Sequence, residues 1–228
     1  MRALAAVLAA AAMLCAAGCA SYGRGVAQTP APGGITTYVG SLGDTSVLIA
    51  WGRIDDSGNT IGRDARSIGE AEVRVGERSV TTSRSWARVE GLEPDTTYNY
   101  QVLINGLSVA QNTIRTLPAD PDRLSFFVIG DYGDGSRSQY YVAAQMAAEF
   151  EKRKGTPREP RFVLTTGDNI YSESIFRFAG KTGDKDYHWI SKFFVPYRPL
   201  LRHIPLSLTL GIHDTKETAN TGDLSVCL

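Results

Sequence analysis

The stretch "RLSFFVIGDYGDG", residues 123–135, decides how this chain reads. An unbroken apolar run ends in glycine and aspartate. A continuous run of this length, unlike an alternating one, predicts a strand buried on both faces, as in a parallel sheet. The polar cluster at its end is where parallel sheets place their sites, beyond the carboxyl ends of the strands. The same grammar recurs twice downstream. "RFVLTTGDNIY" (161–171) ends in Gly167 and Asp168, and "PLSLTLGIHD" (205–214) ends in Gly211, His213 and Asp214. One glycine-aspartate pair after a strand is an ordinary turn. Three in succession, each at the same end of a consecutive strand, point to one shared site.

Between the first two runs lies "SRSQYYVAAQMAAEFEKRKG" (136–155), which predicts an amphipathic helix. Val142, Met146 and Phe150 recur at four-residue spacing with Ala143 and Ala147 beside them. Ser136 or Ser138 can cap its start. Lys152, Arg153 and Lys154 crowd its last turn, and Gly155 follows. Strand, helix and strand then form a βαβ unit. "HWISKFFVPYRPLLRHIP" (188–205) supplies apolar side chains broken by Pro196 and Pro199. His188 and His203, in that stretch, read as surface or packing residues.

Upstream the pattern differs. "TSVLIAWG" alternates, with Val47, Ile49 and Trp51 on one face, and "AEVRVGERSV" reads as two strands about Gly76. "TYNYQVLING" alternates Tyr98, Tyr100, Val102 and Ile104. Short strands at such spacing predict an all-β sandwich. "VEGLEPDTTYNYQV" resembles the end of a fibronectin type III domain, with Tyr98 as a tyrosine-corner residue whose hydroxyl bonds to backbone. "TLPADPDR" (116–123) reads as the boundary between this sandwich and the α/β part.

The amino terminus, "MRALAAVLAAAAMLCAAGCASYG", has a basic Arg2, an apolar stretch and small residues, which predicts a secretory signal peptide and an exported protein, periplasmic or extracellular. "AAGC" resembles a bacterial lipobox, with Ala16 where leucine is usual. Lipidation at Cys19, with attachment to a bacterial membrane, and simple cleavage near Ala20 both stay open. The expected organisation is a leader over 1–19, a linker over 20–34, the sandwich over 35–117 and a partial α/β domain over 123–228. Two of the three cysteines fall in the leader, so Cys227 has no intrachain partner in the mature chain. With 24 basic and 24 acidic residues, nothing suggests nucleic-acid binding. Oligomeric state is not legible.

The clusters point to metal chemistry. Asp131 and Asp168 are hard oxygen donors that can share a cation or bridge two. Tyr171, three residues beyond Asp168, can turn its phenol to the same point. A phenol ionises well below its usual pKa of about 10 only beside a strong Lewis acid such as Fe(III).

"GDYG", "GDNIY" and "GIHD" resemble, in order, the first three motifs of purple acid phosphatases within the calcineurin-like metallophosphoesterases. The preceding sandwich resembles their amino-terminal domain. The fold so implied is a fibronectin-like sandwich followed by the first half of a four-layer αββα metallophosphoesterase domain. The resemblance implies a dinuclear centre, Fe(III) with a divalent ion (iron, zinc or manganese), that hydrolyses phosphate monoesters. It implies Asp131 as a ferric ligand, Asp168 as the bridging carboxylate and Tyr171 as the phenolate ligand. Asn169 would stand just outside the metals' own ligands, and Asp214 takes no ligand role. His213, in its protonated form, would contact the phosphate and help the alcohol leave.

The sequence departs from that pattern. The resembled motif carries asparagine at position 212, a ligand of the second metal, and Ile212 has no donor atom. The family's later histidine ligands have no counterpart after His213. The resemblance therefore implies a truncated chain, inactive alone, whose centre is not fully assembled and whose sheet is left with apolar faces uncovered. Two other functions stay open: a lipid-anchored binding protein using its fibronectin-like domain, and a phosphodiesterase of the wider superfamily.

Overall fold

The computed structural model describes residues 35–53, 66–171, 189–211 and 213–214. The leader with Cys19, and likewise His188, Ile212 and Cys227, lie outside the described residues.

Seven strands form a sandwich. Strands β1 (Ile35–Leu42), β2 (Ser46–Arg53) and β5 (Trp86–Glu90) make one antiparallel sheet, in the order β1-β2-β5. Strands β3 (Arg66–Val75), β4 (Arg78–Arg84), β6 (Thr97–Ile104) and β7 (Leu107–Arg115) make the other, in the order β4-β3-β6-β7. Their inner faces carry every second residue, because strand side chains alternate. Val47, Ile49 and Trp51 from one sheet meet Val73, Val75, Tyr100, Val102 and Ile104 from the other, all buried in one core. Tyr98 makes the expected corner: its hydroxyl accepts from the Glu93 backbone N–H at 2.8 Å.

Three parallel strands follow, β8 (Ser125–Ile129), β9 (Pro160–Thr165) and β10 (Leu206–Ser207), with β9 in the centre. Helix α1 (Arg137–Arg153) connects the first two. Ser136 is its N-cap, accepting from the Gln139 N–H, and Gly155 follows at φ +75°. A π-helical turn (Ile190–Phe194) leads into α2 (Val195–Leu201). The helices pack together over a second core that includes Ala143, Phe150, Val163, Phe193, Tyr197 and Leu200.

Four sequence expectations are corrected here. Pro196 and Pro199 do not break the helical stretch. Pro196 sits in the first turn of α2, where a missing N–H costs little, and a neighbouring side chain takes up the Lys192 carbonyl it leaves. Tyr140 Oη donates to the Ser191 carbonyl at 2.8 Å, and Gln139 Nε2 donates to the Lys192 carbonyl. Val142 faces solvent, because the inward stripe of α1 runs through Gln139, Ala143, Met146 and Phe150. The third strand pairs over two residues only. Finally, β8 and β9 are not buried on both faces as their continuous apolar runs suggest, and one face is uncovered, as expected of a partial sheet. Phe126 and Val128 are 45% and 59% exposed, Leu164 is exposed beside them, and Phe162 stacks on Phe126 at 5.0 Å. Among the described residues there is one three-stranded parallel sheet rather than the facing pair of a four-layer domain.

The two parts are bolted together by polar contacts. Buried Arg161 of β9 donates to Asp95 at 2.6 Å and to the Thr116 carbonyl. The Tyr100 hydroxyl donates to the Arg202 carbonyl at 2.8 Å. His203 is buried and stacks on Phe150. Its Nδ1 donates to the Thr113 carbonyl at 2.7 Å. It is a packing residue, as its place in the sequence suggests.

Candidate metal centre

All three polar clusters leave the same edge of the parallel sheet, because their strands run the same way. The loop after β8 carries Asp131 and the loop after β9 carries Asp168. Both take left-handed backbone, at φ +54° and +53°. For a residue with a Cβ this costs on the order of 1 kcal/mol, and aspartate is among the few side chains that tolerate it. Two strained aspartates at adjacent strand ends mark a place where geometry outweighs local stability.

The loops are laced through their backbones. The Asp131 N–H donates to the Gly167 carbonyl at 3.3 Å and the Tyr171 N–H to the Gly133 carbonyl at 2.9 Å. The approach is close enough to demand glycine. A Cβ on Gly133 would stand 1.7 Å from the Asn169 carbonyl oxygen, and one on Gly211 would stand 2.2 Å from Asp168 Oδ1.

Three side chains converge as a result. The Tyr171 hydroxyl donates to Asp131 Oδ1 at 2.6 Å and lies 3.2 Å from Asp168 Oδ2. The other oxygen of Asp168 accepts from the His213 backbone N–H at 2.8 Å. The His213 ring lies 4.6 Å from that of Tyr171, tilted by 45°. Burial raises the phenol pKa above its ordinary value of 10.0. The hydrogen bond to Asp131 and the charge of Asp168 push it the same way. The phenol proton is thus held between two carboxylates, the position that a hard cation takes over when it binds such a donor set.

Two carboxylates and a phenol fit one such cation. Among the described residues no group of three or more His, Cys, Asp or Glu converges.

Beneath the oxygens lies a frame of different residues. Asn169, 1% exposed, accepts from the Tyr132 hydroxyl at 2.8 Å and donates to the Thr209 carbonyl at 2.7 Å. Asp214 is also buried. It accepts from the N–H groups of Asn169 and Gly211 and from the Asn169 side-chain amide. The Thr209 hydroxyl donates to the Thr165 carbonyl. Sequence reading gave Asp214 no ligand role. Its acceptor contacts show a structural one.

No protein-family profile matches the chain. It superposes on the solved structure of PhoD with a TM-score of 0.54, over 80% of this chain and 39% of that one, at 16% sequence identity. That likeness is one of fold. Among curated proteins, Purple acid phosphatase 4 of Arabidopsis thaliana is 35% identical over 103 residues, covering 45% of this chain and 27% of that protein. An uncharacterized protein of Mycobacterium tuberculosis is 29% identical over 167 residues, covering 66% of this chain and 32% of that protein. The chain spans about a third or less of these curated relatives' lengths. Its fold is phosphoesterase-like.

Proposed function

We propose that the chain carries the first part of a metal-dependent phosphoesterase centre, acting on phosphate monoesters. The observation that supports this most directly is the convergence of the Tyr171 hydroxyl on Asp131 and Asp168, at 2.6 and 3.2 Å. A tyrosine in this company suits a ferric ion, and the sequence similarity to a purple acid phosphatase agrees with that choice. Asp131, Asp168 and Tyr171 would hold the cation. When bound, it supplies Lewis acidity toward phosphoryl oxygens. The chain's own residues do the rest. Asp168 is fixed by the His213 N–H, so its second oxygen stays turned to Tyr171. The His213 imidazole stands beside the phenol, where it can hold a proton for the departing alcohol. The leader-like amino terminus supports export as the setting.

The described donor set suits one cation, so this chain is expected to bind metal and to hydrolyse an aryl phosphate weakly or not at all. Adding Fe(III) to the purified chain should produce a visible phenolate-to-iron absorption band that Tyr171→Phe abolishes. Absence of any such band, together with no heat of Mn(II) binding by calorimetry, would overturn the reading.

A further inference from the structure

Lys192 is 1% exposed, in a turn of helix whose neighbours are aromatic. Burying an ammonium is unfavourable unless its protons are spoken for. Its Nζ donates to the Tyr171 backbone carbonyl at 2.5 Å. Its stem runs under the first loop, where a Cβ on Gly135 would come 3.2 Å from Lys192 Cε. The residue is also anchored at its root. Pro196 lacks the N–H that a regular helix would direct to the Lys192 carbonyl, four residues back. That carbonyl instead accepts from Gln139 Nε2, and Gln139 Oε1 accepts from the Gly135 N–H at 2.7 Å. Lys192 therefore joins α1, the loop bearing Asp131 and the residue bearing the phenol. The Tyr171 backbone is pinned from both sides, its N–H by Gly133 and its carbonyl by Lys192. Only the side-chain torsions remain to aim the hydroxyl.

From this we infer that Lys192 is a positioning residue for Tyr171, holding the phenol on Asp131 and Asp168.

The test uses the full chain labelled with 3-fluorotyrosine, the Tyr171 signal being assigned with Tyr171→Phe. Lys192→Met keeps the volume and loses the donor. Lys192→Gln keeps an N–H donor without the charge. In Lys192→Met the Tyr171 fluorine resonance should shift and broaden while those of Tyr98 and Tyr100 stay. Fe(III) affinity should fall about ten- to hundredfold, as for other groups that orient metal ligands, and Lys192→Gln should recover a large part of both signals. An unmoved Tyr171 resonance in Lys192→Met overturns the inference. So does a collapse of all tyrosine resonances together in both variants, which would make Lys192 a structural prop. The metal arm rests on the phosphoesterase reading and the fluorine arm does not. A wild-type chain that binds no Fe(III) therefore sinks that reading and leaves the fluorine comparison to decide Lys192.

Discussion

Asp214 holds Asn169 at two points, accepting from its backbone N–H at 3.0 Å and from its side-chain amide at 2.8 Å. It also accepts from the Gly211 N–H, so one carboxylate ties the third loop to the second. Asp214→Ala strands these buried donors. Each lost bond costs about 1–3 kcal/mol, so the substitution should cost about 3 kcal/mol or more. Asp214→Asn should not rescue, because it turns an amide donor toward other donors. Urea unfolding followed by near-ultraviolet circular dichroism reads both. A loss below about 1 kcal/mol for Asp214→Ala would refute the tie.

Two glycines with unlike surroundings give a paired prediction. Gly133→Ala places a methyl 1.7 Å from the Asn169 carbonyl oxygen, so the two loops must part. It should cost about 3 kcal/mol, the upper end for overpacking, and weaken Fe(III) binding. Gly155→Ala, at φ +75° with nothing within 4 Å of the new methyl, should cost about 1 kcal/mol through backbone conformation alone and leave metal binding untouched. Equal effects in the two variants would contradict this account.

The junction between sandwich and α/β part should respond to acid. Burial pushes the His203 pKa down to about 4 from 6.5. Lys154 and Arg202 act in the same direction, against the Thr113 carbonyl and Glu151. The folded state therefore holds this imidazole neutral while the unfolded chain protonates it. Between about pH 6.5 and pH 4 the unfolded state binds more protons, so stability falls as pH drops through that window and is flat with respect to this group above it. A shift of this size amounts to roughly 3 kcal/mol. Thermal midpoints measured from pH 4 to 8 should show the slope in the wild type and a flatter line in His203→Gln.

The uncovered sheet face should make the chain self-associate. Phe126, Val128, Phe162 and Leu164 form an apolar patch on adjacent strands, a recognised aggregation liability. Val128→Lys should lower concentration-dependent light scattering and, at a position 59% exposed, change stability by no more than about 0.5 kcal/mol. Unchanged scattering would show that this face is not the sticky one.

Much of the sandwich was legible because its residues obey a period of two. Val47, Ile49 and Trp51 are buried in step, and Tyr98 closes its corner on Glu93. The meeting of Asp131, Asp168 and Tyr171 was legible because three strand ends repeat one pattern. Other features were not. Val142 fits a four-residue stripe as well as Ala143 does, and only the placement of α1 chooses between them. Nothing in the sequence singles out Lys192, since its burial follows from the π-helical turn and from the carbonyl that Pro196 leaves open. The shortness of the third strand depends on Thr209 bonding to the Thr165 side chain and carbonyl in place of a regular ladder. Such side-chain substitutions for backbone pairing leave no periodic trace.

The separation of labour at the strand ends has a consequence for descent. Asp131, Asp168 and Tyr171 face one another, whereas the loops are held in register by Tyr132, Asn169, Thr209 and Asp214. Among the described residues the two sets also meet through the glycines and through a backbone contact from His213 to Asp168. Selection can therefore act on them independently. A lineage can trade one reactive side chain for another, or let it decay, while the architecture below it survives intact. Kinship in shape will then outlast kinship in chemistry.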